Sequence, residues 1–272
     1  MVTGNKPIDD GNYLFTTEER DAFITREPAS QKWFRRWLGG DEFINAIDRW
    51  CLWLGDCPPG ELRTMPEVMK RVQAVKTFRQ SSKSPPTQKL AATPTRFHTE
   101  FLDTDVLCGD KLRLIEGASL FHFGVLLSTM HMAWTRQVCG RLESRYQYSA
   151  LIVYNNFPWP DLPPKSEPNQ PLAPIHQAQA AIETAAQAVL DARAQFPTSS
   201  LADLYDPLTM PPVLLKAHHK LDAAVDKAYQ LCGGKKSYAS DAERVAFLFQ
   251  RYQQLTSLLP AAPSVRARRK TP

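Results

Sequence analysis

Pro158-Trp-Pro-Asp-Leu-Pro-Pro-Lys-Ser-Glu-Pro-Asn-Gln-Pro-Leu-Ala-Pro174 is the stretch that divides this chain. Its seven prolines remove backbone donors and fix φ so densely that neither a helix nor a central strand can run through it. Downstream the pattern is helical throughout. Ile175, Ile182 and Val189 recur along an alanine-rich segment from Pro174 to Phe196, and Val213, Leu214, Ala217, Leu221 and Val225 share a face between Pro211 and Leu231. Ser240-Asp-Ala-Glu243 has capping-box spacing before Val245 to Leu259, so three helices packed as a small bundle are expected.

Upstream the pattern is mixed. Thr17–Arg26 and Ala29–Leu38 read as helices, the second stopped at Gly39-Gly40, and Arg49-Trp-Cys-Leu-Trp-Leu54 reads as a buried strand. Thr64-Met-Pro-Glu67 has capping-box spacing before a helix carrying Val68, Val72, Val75 and Phe78 on one face. Asp105–Ile115 reads as strand with a turn at Gly109-Asp110. Ser119 caps a helix with Leu120, Phe123, Leu127, Met130, Trp134 and Val138 at helical spacing, which Gly140 ends. The expected fold is α+β: a mixed helix/strand domain over residues 1–160, a small all-α domain over 165–260 and a disordered basic tail over 261–272, including Val265–Lys270.

Composition bounds the function. At 272 residues, 43% hydrophobic and 22% charged, the chain is globular, with no apolar run long enough for a membrane helix and no signal-peptide layout; a cytoplasmic location is expected. Five widely spaced cysteines (Cys51, Cys57, Cys108, Cys139, Cys232) read as reduced, buried thiols. The net charge of +5 is concentrated: seven Lys or Arg (Lys70, Arg71, Lys76, Arg79, Lys83, Lys89, Arg96) lie between Met69 and Thr99 without an acid. Such a stripe suits phosphate contacts, and reads equally well as a solvated helix face running into a loop.

Catalytic patterns are absent. Gly233-Gly-Lys-Lys-Ser237 fails as a phosphate loop, because Tyr229 stands where its first glycine belongs and Lys236 where the magnesium-binding hydroxyl belongs. No nucleophile elbow, dinucleotide fingerprint or zinc spacing occurs. His218-His219 reads as one packed and one solvated ring. Asn156-Phe-Pro-Trp159 has the residue types of an amino-methyltransferase loop in the wrong order, and Pro160-Asp161 lacks the rest of a nuclease core. No catalytic, metal-binding or cofactor-binding residue is expected.

Gly140-Arg-Leu-Glu-Ser-Arg-Tyr-Gln-Tyr-Ser149 sets polar hooks directly after an apolar helix. Arginine can pair with guanine O6 and N7, and a carboxylate can accept from cytosine N4, so Glu143 and Arg145 together can read one G·C pair. The same residues also read as an exposed ion pair at a turn, with Tyr146 and Tyr148 facing a sheet.

Arg49-Trp-Cys-Leu-Trp-Leu54, Thr87-Gln-Lys-Leu-Ala91, Phe123-Gly-Val-Leu126, His131-Met-Ala-Trp134, Val138-Cys-Gly-Arg-Leu142, Tyr148-Ser149, Val153-Tyr-Asn-Asn-Phe-Pro-Trp-Pro160 and Ser200-Leu-Ala-Asp-Leu-Tyr-Asp-Pro207 carry a resemblance. They resemble the C-terminal portion of MmeI-type restriction-modification enzymes, from near Asn12 to about Pro260. The resemblance implies a target recognition domain and a C-terminal helical domain, without the nuclease or the S-adenosylmethionine-dependent adenine methyltransferase. It places the family's paired base-reading positions on Glu143 and Arg145, in the Glu-with-Arg form. Double-stranded DNA is the implied partner, with Arg141, Tyr146, Tyr148, Lys70, Arg71, Arg79, Lys83 and Lys89 as backbone or supporting contacts. A separately encoded methyltransferase or nuclease polypeptide is a second candidate partner, and S-adenosylmethionine is expected only there. Between Phe97 and Phe101 the family has a longer DNA-facing segment; here only His98-Thr-Glu100 stands in its place. The expected function is sequence-specific DNA recognition for a modification system. The alternative is a non-catalytic interaction module or a remnant of such an enzyme.

Overall fold

The computed structural model describes residues 1–100, 106–161 and 174–257. Tertiary contacts gather the chain into two compact units: Met1–Glu116 with Thr198–Met210, and Gly117–Pro197 with Pro211–Pro272. Most of the proline-rich stretch and the whole 261–272 tail fall outside the described residues.

The first unit is built on a four-stranded sheet ordered Leu14–Phe15, Arg49–Leu52, Phe34–Leu38, Val106–Cys108. The first two pairings are antiparallel, with Leu14 opposite Cys51 and Phe34 opposite Leu52, and the last is parallel, with Trp37 opposite Leu107. Phe15, Phe23 and Phe34 meet edge-to-face at centroid distances of 5.4, 5.1 and 6.0 Å, and Trp53 closes on Phe97 in the same way. Val68, Val72 and Val75 of the Pro66–Gln80 helix complete this core, as their spacing predicts.

Two expectations fail here for physical reasons. Ala29–Leu38 is not a helix: residues Pro28–Trp33 form a 3-10 segment and Phe34–Leu38 a strand. Phe34 and Trp37 have spacing that a helix also satisfies, but strands on both sides take up the backbone hydrogen bonds of this segment, and sheet wins. The Pro66–Gln80 helix is likewise not capped by Thr64, whose hydroxyl donates to Glu61 O. The buried carboxylate of Glu27 accepts from the amides of Glu67 (3.1 Å) and Val68 (2.7 Å), capping the helix from 40 residues away in sequence.

The second unit is a helical assembly. Pro174–Ala194, Pro212–Leu231 and Asp241–Thr256 are the three helices read downstream, and Ser240 accepts from the Glu243 amide as its spacing predicts. They pack with Leu120–Leu127 and Thr129–Val138 from before the proline-rich stretch. Gly124 permits a close approach: a Cβ there would lie 2.8 Å from Ile182, 3.1 Å from Ala186 and 3.2 Å from Leu221. The single helix expected from Leu120 to Val138 is broken at Ser128, whose hydroxyl donates to Val125 O while the Thr129 amide donates to Asp222 Oδ1 at 2.8 Å. Ser128 is the N-cap of the new helix, its hydroxyl accepting from the His131 amide, and a neighbouring helix adds an acidic group at the same end. The end is also corrected: Cys139 is the C-cap, and Gly140 already belongs to a strand.

None of the five cysteines is bonded to another; Cys51 and Cys139 are buried, while Cys57, Cys108 and Cys232 are half-buried, contrary to the expectation that all are buried. His218 is half-buried and His219 exposed, the split expected of neighbours on a helix. No helix among the described residues is long and apolar enough to cross a membrane.

Candidate nucleic-acid interface

Gly140–Leu142 and Arg145–Gln147 form an antiparallel hairpin in the second unit, pairing Gly140 with Gln147, Arg141 with Tyr146 and Leu142 with Arg145. That register leaves a two-residue turn, Glu143-Ser144. Glu143 has φ +57°, a left-handed conformation that Gly or Asn occupies at lower cost, so the turn holds a carboxylate where hairpin chemistry favours glycine. At the tip, Glu143 and Arg145 are 75% and 73% exposed and meet each other, Arg145 Nη2 donating to Glu143 Oε2 at 2.9 Å. Solvent screens such a pair, and exposed pairs contribute only about 0.2–1 kcal/mol, so both groups are free to exchange partners. Beside them the Arg141 guanidinium lies 4.4 Å above the Tyr146 ring.

An isolated two-stranded hairpin is marginal in water, and every residue of both strands is exposed. Its order comes from its root. Tyr148 sets its hydroxyl 3.0 Å from His131 Nε2, and the His131 ring packs edge-on against Phe157 at 4.5 Å. Trp134 Nε1 donates to Val153 O (3.0 Å), inside a single π-helical turn over Ala150–Tyr154 that Ser149 caps. Burial pushes the His131 pKa down to about 4 and raises that of the Tyr148 phenol, so both are uncharged near neutral pH. His131 was not singled out as a site residue in the sequence; its signal was its place on the apolar face of the helix that leads into the hairpin.

The basic stripe, in the first unit, does not stay a stripe. Arg79 is fully buried and is corrected as a DNA contact: it spends all five of its N–H donors on backbone carbonyls. Nε donates to Ile8 O (2.9 Å), Nη1 to Leu90 O and Thr93 O (both 3.0 Å), and Nη2 to Pro7 O and Arg96 O (both 2.8 Å). Arg71 is half-buried, its guanidinium 4.8 Å from the Phe15 ring and bonded to Asn12 O. Lys70 is exposed but paired with Glu67. Lys83 and Lys89 are exposed at either end of the short Pro85–Lys89 helix, and form no ion pair among the described residues.

Where a longer family segment was expected, Thr99 O accepts from the Lys6 amide, Lys6 O accepts from the His98 amide, and Glu100 binds both the Phe97 amide and Arg96. These bonds hold the short connection in place as far as Glu100. Gly233 and Gly234 turn the chain after the Pro212–Leu231 helix, with the Tyr238 hydroxyl accepting from the Lys235 amide. No cluster of three metal-ligating side chains occurs among the described residues.

The family model of the MmeI target recognition domain matches residues 1–100 and 98–161, two pieces that meet at the short 98–100 connection. The model of the MmeI C-terminal domain matches residues 175–260. DNA methyltransferase A of Bacillus subtilis (strain 168) is 33% identical over 277 residues, covering 93% of this chain and 30% of that protein. A solved structure of the type IIL restriction-modification enzyme MmeI in complex with DNA matches with a TM-score of 0.84 and 46% identity, covering 94% of this chain and 35% of that one. The chain therefore spans about a third of the length of these proteins.

Proposed function

We propose, from the premise that this chain belongs to the MmeI target recognition domain family, that it reads double-stranded DNA sequence for a modification enzyme, with Glu143 and Arg145 at the hairpin tip contacting base edges. The observation that carries this reading is the geometry of the tip: one acceptor and one bidentate donor, three-quarters exposed, on a two-residue turn rooted in a buried aromatic cluster. A hairpin of that width fits the major groove, where arginine pairs with guanine and a carboxylate accepts from cytosine. Arg141, Tyr146 and Tyr148 shape the hairpin, and Lys70, Lys83 and Lys89 supply exposed charge for phosphates. Methyl transfer and the S-adenosylmethionine site belong, on this reading, to the part of the relatives that this chain does not span, so the chain alone modifies no DNA.

The test is a titration of the isolated chain against duplex DNA at several salt concentrations. Weak binding that falls linearly on logarithmic axes as salt rises is expected, because displaced counterions dominate the affinity. Absence of binding even at low salt, or methyl transfer from labelled S-adenosylmethionine by this chain alone, overturns the reading.

A further inference from the structure

We infer that Leu142 is a third base-reading residue of the hairpin, placed to contact the C5-methyl group of a thymine beside the G·C pair that Glu143 and Arg145 read, an assignment that rests on the proposed recognition role. Leu142 is the single aliphatic residue between Gly140 and Gln147, where the other side chains are polar, charged or aromatic. It stands directly before the two-residue turn and is 60% exposed. A lone exposed leucine is ordinary on a protein surface. What distinguishes this one is its place in the register.

Cross-strand partners send their side chains to the same face of a hairpin. Arg141 and Tyr146 are one such pair, and the guanidinium 4.4 Å from the ring centroid shows them sharing a face. Leu142 and Arg145 are the next pair, and because side chains alternate along a strand they share the opposite face. The face that presents Arg145 therefore presents Leu142 as well. Arg145 turns its head to Glu143, Nη2 donating to Oε2 at 2.9 Å, and the leucine beside it stays open to solvent.

The reach follows from two spacings. Paired Cβ atoms lie about 4.5–5.5 Å apart, and successive base pairs are stacked about 3.4 Å apart along the duplex. With Arg145 on guanine O6 and N7, Leu142 meets the adjacent base pair. Thymine is the base that puts an apolar group, its C5-methyl, on the major-groove edge. Glu143 and Arg145 read hydrogen-bonding groups and cannot register that methyl, whereas an aliphatic side chain can. The recognised sequence then holds a thymine next to the G·C pair read by the charged residues.

The experiment selects duplexes with the full chain from a random-sequence pool and measures their affinities by titration. Each guanine is replaced in turn by 7-deazaguanine, which lacks the N7 acceptor. The pair read by Arg145 is the position whose replacement weakens the unaltered chain and leaves Arg145→Ala unaffected. Each thymine is then replaced by deoxyuridine, which removes the methyl group and keeps all hydrogen bonding. At one thymine, adjacent to the located pair, deoxyuridine is expected to weaken the unaltered chain about fourfold, the worth of one buried methyl-sized group, and to leave Leu142→Ala unaffected. Leu142→Ala should keep its melting temperature and its sensitivity to 7-deazaguanine, because the leucine is exposed and Arg145 is intact. Recovered duplexes with no thymine beside the located pair, no deoxyuridine effect there, or an equal effect in Leu142→Ala each overturns the assignment and leaves the recognition role standing. A pool from which nothing is enriched, or no position whose 7-deazaguanine effect depends on Arg145, refutes the recognition role itself, and the assignment of Leu142 falls with it.

Discussion

The Pro66–Gln80 helix and the Gly140–Gln147 hairpin both put arginines into a polar stretch, and the protein treats them in opposite ways. Arg79 is drawn into the first unit and holds carbonyls from two separate stretches of chain, whereas Arg145 stands in solvent and, among the described residues, pairs with its neighbour Glu143 alone. The difference lies in what surrounds each. Around Arg79, the Pro7–Ile8 segment and the 3-10 turn and loop over Leu90–Arg96 aim five carbonyls at one point, and a five-donor fork binds all of them at once. Around Arg145 the hairpin already pairs its own backbone, so nothing recruits the side chain. Local charge therefore says little about surface charge; the supply of inward-facing backbone partners decides it.

The comparison breaks most visibly at Arg79. Replacing it with Ala, or with Lys, whose point charge cannot reproduce the fork, should lower the stability of the first unit by about 3–5 kcal/mol, because several buried carbonyls lose their donor together. Denaturant unfolding measures this; a decrease below about 1 kcal/mol for Arg79→Ala would show that the buried fork is dispensable. Arg145→Ala should leave stability nearly unchanged.

The hairpin root gives the next effect. The folded-state pKa of His131 is about 4, below the ordinary value of 6.5 for the unfolded chain. Between these values the unfolded state binds more protons, so the stabilisation is complete above pH 6.5 and is lost as pH falls toward 4, by up to about 3 kcal/mol. His218, lowered by burial, acts in the same direction, and Asp226, raised by burial, acts oppositely. Comparing the chain with His131→Gln isolates the single group: the variant should lose less stability over that window, and parallel curves would refute the assignment.

Exchanging the tip charges, Glu143→Lys with Arg145→Asp, should leave the fold intact and change preference at one base pair by about 1–3 kcal/mol, read as relative affinity across a set of duplexes. Unchanged preference removes these residues from base reading. The smallest effect is expected at Lys83→Gln with Lys89→Gln, which should weaken binding to all duplexes alike and reduce the salt slope by roughly one for each phosphate no longer neutralised. A sequence-dependent effect there would mean that this region reads bases too.

Much of the fold was legible in the chain. Helices with a long apolar period, such as Pro212–Leu231, lie where the period places them, because burying one face decides both the pattern and the structure. The errors fall where a distant residue decides a local matter. Glu27 caps the Pro66–Gln80 helix in place of Thr64, Asp222 joins the N-cap Ser128 in starting a helix at Thr129 inside a continuous apolar pattern, and flanking strands convert Phe34–Leu38 from an apparent helix. At the candidate interface, Glu143 and Arg145 were legible as a polar pair after a rigid element. The two-residue turn that points them outward, and the His131–Tyr148 contact beneath it, depend on cross-strand register and burial that no local window contains.

By itself the sequence determined which segments must bury a face, where prolines forbid regular structure, and that two recognisable modules of a DNA-modifying family lie in order along the chain. Only the tertiary structure decided which of its charges are available. A guanidinium costs too much to bury without partners, and whether partners await it is a property of the folded surroundings, as the buried Arg79 and the exposed Arg145 show.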